Sequence, residues 1–408
     1  VLTALFFAFV PTIASSGSFD PVTATEALLA TVPAAMRAKS GAYTESGHWV
    51  LIGTFFYGAL MKYGLLQTGL SARIRDIAGK IGWGRWSQNF LYGVFYVSAM
   101  AVLFLPWQFG ADFWRPHYFG MSNQTFSDWI RDQSGGLIQD LLFVPVLASA
   151  IYGFLALSSQ RWHIFASALG IAVFAVKLVI APLYLTPLFF TFTPLEAGEV
   201  RDQIQSLARA NQVPANEIYR FNLSKVTSFP NAQVDGIGPT ARIALSDNLV
   251  DHGTMPEIRL IFGHEMGHYV LGHSFIMLIE NGVMICLLFS GLSWAYPALL
   301  ARARPLWQIN GPADIASMPV LMFLILLFRL LVDPIDSAIT RVAEQQADIF
   351  AINATHEVDA LSTLVLKIAQ RDKLAPGPVE EFLFFDHPSA RNRILAAMRW
   401  KAENLPKE

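Results

Sequence analysis

Cysteine is all but missing from this chain. Cys286 stands alone among 408 residues, which excludes an intrachain disulfide framework and any zinc site built on thiolates. Charge is scarce too: Asp, Glu, Lys and Arg make up 15% of the chain, where an ordinary soluble domain carries about 25%. Neither sign dominates, and the formal net charge of −2 leaves no basic footprint for nucleic acid. No internal repeat or low-complexity tract is present. What fills the chain instead is apolar: 53% of the residues are hydrophobic and the mean hydropathy is +0.41. Such a composition marks a membrane protein before any segment is examined.

Crossing a bilayer takes about 20 mostly apolar residues. Six runs qualify, at 48–66, 89–107, 138–157, 163–190, 274–299 and 316–332. A seventh, Val1 to Ser15, is short. It reads as a retained helix whose start is cut away, or as a signal peptide ending near Ala14-Ser15-Ser16 but without a basic leading region; the retained helix is the expectation kept. Lys62, Lys177, Glu280 and Arg329 fall inside apolar runs. Charges are costly in lipid, so they either face a polar interior or snorkel to the interface. A polar stretch, 193–263, holds strand-like runs at Glu217–Asn222 and Ala241–Ser246, punctuated by turns at Pro230-Asn231 and Gly236–Pro239.

The most informative residues follow that stretch. His264-Glu265-Met266-Gly267-His268 lies in a run of helical periodicity, Ile258 to Leu271. Residues four apart share one helix face, so both imidazoles can reach one metal ion. Zinc accepts nitrogen ligands and a catalytic site keeps a position open for water, while Glu265, one step round the helix, is placed to act as the base that activates that water. His273 is nine residues beyond His264, half a turn out of phase at ~100° per residue, and misses the H-E-x-x-H-x-x-G-x-x-H spacing; it reads as solvated or structural. Glu344 is the better third ligand. Asp348, four residues on, shares its helix face and can accept the outer N–H of a ligand histidine. A last cluster, Asp386 to Ile394, brings His387 and Arg393, which could steady an oxyanion; by spacing alone it is equally a turn before an amphipathic helix.

Together these clusters resemble the Ste24-type CAAX prenyl proteases, membrane zinc peptidases of the M48 class. The likeness is carried by the H-E-x-x-H pentapeptide and by the Arg341–Asp348 cluster, which matches R-x-x-E-x-x-A-D. His387-Pro388 with Arg393-Ile394 matches the H-P…R-[IL] ending. Pro187–Gly198, Ser228–Gly236, Arg242–Leu249 and Gly120–Phe126 add to it. It spans about residues 48–400 and is strongest after 185. The N-terminal helix is shorter than the family's, and Pro230 stands before Asn231 where the family often has Ser or His.

The resemblance implies an α-helical integral membrane protein. About seven transmembrane helices form a barrel around a large water-filled chamber, with a mostly helical, gluzincin-like lobe containing a small β-sheet. It implies one zinc per chain on His264, His268 and Glu344, Glu265 as base, Asp348 behind the ligands, and His387 and Arg393 as transition-state helpers. Asn231 and Ala232 are implied to lie on an edge strand that pairs with an extended peptide. The expected organisation is membrane helices one to five in 1–192, the first part of the lobe in 193–273, helices six and seven in 274–336, and the rest of the lobe in 337–408. Expected partners are the bilayer and a peptide or protein substrate, prenylated or not; the oligomeric state is left open. Two rival readings are a general M48 quality-control protease and a transporter or channel with a structural zinc, which gives Glu265 no role. The compartment would be a bacterial inner membrane or a eukaryotic endomembrane, with the lobe cytosolic. Against that orientation, the short loops then left outside, 67–88, 158–162 and 300–315, carry more Lys and Arg than the inside loops 16–47 and 108–137.

Overall fold

A computed structural model describes residues 19–214, 217–235, 242–368 and 371–404. Among them, five helices are long and apolar enough to cross a membrane: Ala34–Gln67, Gly84–Tyr118, Phe126–Leu157, His273–Arg302 and Ile315–Thr355. Five of the six expected runs lie inside these helices. The sixth, 163–190, is a shorter apolar helix, Trp162–Leu178, after which the chain turns through Ala181–Leu185 and Thr186–Leu188. Pro182 and Pro187 carry no N–H to donate, which ends the regular ladder there. The run Val1–Ser15 and the Gly236–Pro239 turn lie outside the described residues.

The long helices expose large apolar side chains, among them Phe56, Leu142, Val283 and Leu331, as helices that cross a bilayer do. Inside, Tyr92, Tyr152, Trp162 and Tyr296 are fully buried. The three tyrosine hydroxyls are satisfied: Tyr152 Oη lies 3.1 Å from Ser317 Oγ, Tyr296 Oη donates to the Pro312 carbonyl at 2.9 Å, and Tyr92 Oη is 2.6 Å from Ser71 Oγ. Lys62 and Arg329 line one cavity of about 680 Å³ between the helices, with Gln108, Gln133 and Asp140. Lys62 donates to the Gly58 carbonyl and Arg329 pairs with Asp333 at 2.8 Å.

The lobe has a second core, built from both sides of the membrane hairpin in sequence. Ile243, Leu245, Phe262 and Met266 pack with Ile352, Leu361, Ile394 and Met398. Its sheet runs β1 (Phe192–Pro194), β2 (Ile218–Phe221), β4 (Arg242–Ser246) and β3 (Ala232–Asp235) in spatial order; only β2 and β4 are parallel. β3 is therefore an edge strand and packs against the helix Met255–Val270. The Gly120–Phe126 segment ties membrane to lobe, with Asn123 N–H donating to the Val226 carbonyl at 2.9 Å.

Two helices set the position of everything below. The H-E-x-x-H helix is Met255–Val270, begun by Pro256 and by a Thr254 N–H that donates to Glu257 Oε2 at 3.0 Å. It ends at Gly272, whose φ of 69° is left-handed. Its partner is Met318–Thr355, 38 residues running as one helix, with Pro334 inside it, from the membrane into the lobe; the expected boundary at 336/337 falls inside it. Where they cross, glycine takes the place of a side chain. A Cβ on Gly267 would lie 3.1 Å from Ala347 Cα, and one on Gly263 3.3 Å from Ala351 Cα.

This contact makes a prediction. Gly267→Val should overpack the crossing at a cost of about 1–3 kcal/mol and lower the thermal unfolding midpoint in detergent. Gly267→Ala should cost much less, because alanine's helix preference of about 1 kcal/mol offsets part of the strain. Equal midpoints for the valine variant and wild type would remove the packing argument.

Candidate metal centre

The crossing brings three ligand atoms together. His264 and His268 project from one face of their helix, with their Nε2 atoms 3.1 Å apart. Glu344 comes from the long helix: its Oε2 is 3.1 Å from His264 Nε2 and its Oε1 is 3.3 Å from His268 Nε2. Donor atoms of the three residues all lie within 4.8 Å of one another. Ligands about 2.0–2.1 Å from a tetrahedral ion are themselves about 3.3–3.5 Å apart, so the spacing suits a shared cation. The polar accounting agrees. Glu344 Oε2 is buried and receives no hydrogen bond of good geometry, although imidazole nitrogens surround it.

The electrostatics also favour positive charge here. Burial opposes a charge on His264, but the carboxylates of Asp348 and Glu344 outweigh it and push its pKa up to about 10. Asp348 is 2% exposed, and its Oδ1 lies 2.9 Å from His264 Nδ1. That contact turns Nε2, the other ring nitrogen, toward Glu344. Glu265 is part-buried and adds to the field at His264 and Arg393.

His387 reaches the centre from the C-terminal region. Its Nε2 is 3.3 Å from Glu344 Oε2 and its Nδ1 is 2.9 Å from Asp386 Oδ1. The Asp386 contact raises its pKa above the ordinary histidine value, against the effect of burial. Arg393 is placed behind the ligands. Its Nε and Nη2 donate to Asp348 at 2.8 and 2.6 Å, so the guanidinium forks onto the carboxylate that holds His264. Its spacing alone does not show this destination.

Asn231 and Ala232 sit at the sheet edge. Asn231 N–H donates to Ser246 Oγ and its carbonyl accepts from Ser246 N–H, both at 2.9 Å. Alternation along an antiparallel strand then turns the N–H and C=O of Ala232 toward the open side.

One expectation needs correction. A phase half a turn away should put His273 on the far side of the H-E-x-x-H helix. Instead it is 2% exposed, with its Nδ1 2.8 Å from His268 Nδ1. The phase count assumes a continuous helix, but the helix breaks at Gly272 and a new one starts at His273. The glycine was the signal that could have located it.

Comparisons with known proteins show the family of the chain. A family model described as peptidase family M48 matches residues 194–401, slightly more than half of the chain. The chain belongs to peptidase family M48. A second model, described as the CAAX prenyl protease N-terminal domain with five membrane helices, matches residues 22–191 of this M48 peptidase. The chain is 28% identical over 352 residues to the uncharacterized metalloprotease YhfN of Bacillus subtilis, a match covering 84% of this chain and 80% of that one. It is 26% identical over 326 residues to CAAX prenyl protease 1 of Saccharomyces cerevisiae, covering 73% and 69%. The crystal structure of S. mikatae Ste24p shares the fold, with a TM-score of 0.77 and 21% identity over 91% of this chain and 93% of that one. This M48 peptidase is thus a multi-pass membrane metalloprotease.

The Arg393–Asp348 fork carries a second prediction. Arg393→Leu strands a buried carboxylate, a change that costs roughly 3–5 kcal/mol when a buried pair loses one partner. The unfolding midpoint should fall accordingly, and Arg393→Lys, which keeps the charge but not the fork, should fall between. A leucine variant as stable as wild type would show that the pair contributes nothing.

Proposed function

We propose that this M48 peptidase is a zinc endopeptidase that holds one ion on His264, His268 and Glu344. The observation that carries the reading is the convergence of three donor atoms, from two different helices, within 4.8 Å. Bound there, zinc supplies Lewis acidity toward a peptide carbonyl and lowers the pKa of a water. Glu265 takes the proton of the attacking water and returns it to the leaving amine. His387, whose pKa Asp386 raises, lies beside Glu344 and would serve as a donor to the oxyanion. Arg393 adds positive charge nearby while fixing Asp348, and Asp348 orients His264. The peptide lies extended along β3, hydrogen-bonded to the outward N–H and C=O of Ala232, with Asn231 anchoring the strand.

For the substrate we propose a protein near its prenylated C-terminus. What supports this is the named activity of the yeast relative and the shared N-terminal membrane domain. We propose a cytosolic lobe, a reading supported by the same likeness and opposed by the Lys and Arg balance of the short loops. Protease protection in sealed vesicles of known orientation tests that placement: a lobe cleaved only from the lumenal or periplasmic side would reverse it.

The chemistry is tested with purified protein in detergent. Wild type and Glu265→Gln should each hold about one zinc per chain, and the variant should lose at least roughly 10²–10⁴-fold in peptide hydrolysis. Removing the metal with a chelator should abolish cleavage, and added zinc should restore it. A matched pair of peptides, prenylated and bare, reads the substrate class. Preference for the prenylated form supports the proposal, whereas equal rates would move the reading to general membrane proteolysis. Folded protein without zinc would sink the proposed site.

A further inference from the structure

His273 is left over from the reading above, and its surroundings are specific. It is the first residue of the membrane helix His273–Trp307, is 2% exposed, and touches two polar groups. Its Nδ1 is 2.8 Å from His268 Nδ1, and its Nε2 is 3.1 Å from Gln346 Oε1. Gln346 lies on the long helix, two residues beyond Glu344.

Proton accounting leaves one arrangement that suits a metal. Two imidazole nitrogens 2.8 Å apart share a single proton. Gln346 Oε1 is an acceptor, so the proton of a neutral His273 sits on Nε2 and its Nδ1 is bare. The shared proton then belongs to His268 Nδ1, which leaves His268 Nε2 with a free lone pair. Nε2 is the atom that faces His264 Nε2 and Glu344 Oε1.

We propose that His273 and Gln346 are positioning residues that fix the metal-binding tautomer of His268, a proposal resting on the His264–His268–Glu344 reading of the site. The arrangement parallels Asp348 behind His264, with one difference. The acceptor behind His264 is a charged carboxylate, and the acceptor behind His268 is an uncharged imidazole backed by an amide. The relay also ties a ligand to the first turn of a membrane helix, so that the rotation of that helix sets the orientation of His268.

The test is zinc affinity, read by titrating metal-stripped full-length protein in detergent against a chromogenic chelator. His273→Leu should weaken zinc binding 10- to 100-fold, the usual effect of losing a ligand's outer hydrogen-bond partner. His273→Asn, whose carbonyl can accept from His268 Nδ1, should recover part of the loss. Gln346 is exposed, so Gln346→Leu leaves the core intact. It should weaken binding less than His273→Leu. The visible spectrum of the cobalt(II)-loaded protein should change in both leucine variants. His273→Leu with wild-type affinity would overturn the proposal. So would equal losses in His273→Leu and His273→Asn with Gln346→Leu unchanged, since that pattern marks a packing residue. Wild type without saturable zinc binding, or binding indifferent to His264→Ala, would instead overturn the site itself and the relay with it.

Discussion

A carboxylate on one helix has to lie beneath two imidazoles on another, and ordinary side chains would hold those helices too far apart. Gly263 and Gly267 remove that obstacle. With no Cβ on either, the H-E-x-x-H helix settles against Ala347 and Ala351 of the long helix, and Glu344 and Asp348 come within reach of the histidines. Gly267 lies between Glu265 and His268 in sequence, so the turn that carries the base and the second imidazole is also the turn that makes the close approach. The remaining features of the centre depend on this contact.

Closeness brings a problem of charge. Glu344 and Asp348 are both buried and only one turn apart, an arrangement that favours protonation unless cations compensate. The structure surrounds them with Arg393, forked onto Asp348, and with His264 and His387. The pair therefore has distinct surroundings. Asp348 is neutralised from behind by a permanent cation that cannot be displaced. Glu344 instead faces the ring nitrogens of His264, His268 and His387. One carboxylate is thereby tied to a guanidinium, and the other is left among imidazoles.

What is legible in the sequence follows from periodicity. His264 and His268, and Glu344 and Asp348, are each four apart, and helical geometry alone puts each pair on one face. Strands β2 and β4 show through their alternation and turn residues, and five of the six apolar runs fall inside long apolar helices. Three things are not legible, for different reasons. His273 is misplaced because a phase count cannot see a break, and Gly272 is one. The long helix extends well past residue 332 because it loses its apolar character before its hydrogen-bond ladder, and hydropathy measures only the first. The partner of Arg393 is 45 residues away, and no local pattern encodes a contact at that separation.

The continuity of that long helix bears on how the molecule works. Met318–Thr355 begins among membrane residues such as Val320 and Leu321, passes Arg329 at the cavity, and ends beyond Glu344 and Asp348. The H-E-x-x-H helix is separated from the membrane helix after it by Leu271 and the left-handed Gly272, and His273 contacts His268 across that joint. Both helices that supply the candidate ligands are thus joined to the membrane bundle, one as a continuous helix that carries Pro334 and the other through a short joint with a hydrogen bond across it. A continuous helix transmits displacement along its axis, softened here at Pro334, which removes one rung of the ladder; a glycine joint allows rotation and opposes it only through side-chain contacts. Displacement of the bundle thus has one path to Glu344 along the helix and another to His268 across the His273 contact. The two sides of the candidate centre are joined to the membrane helices by different means.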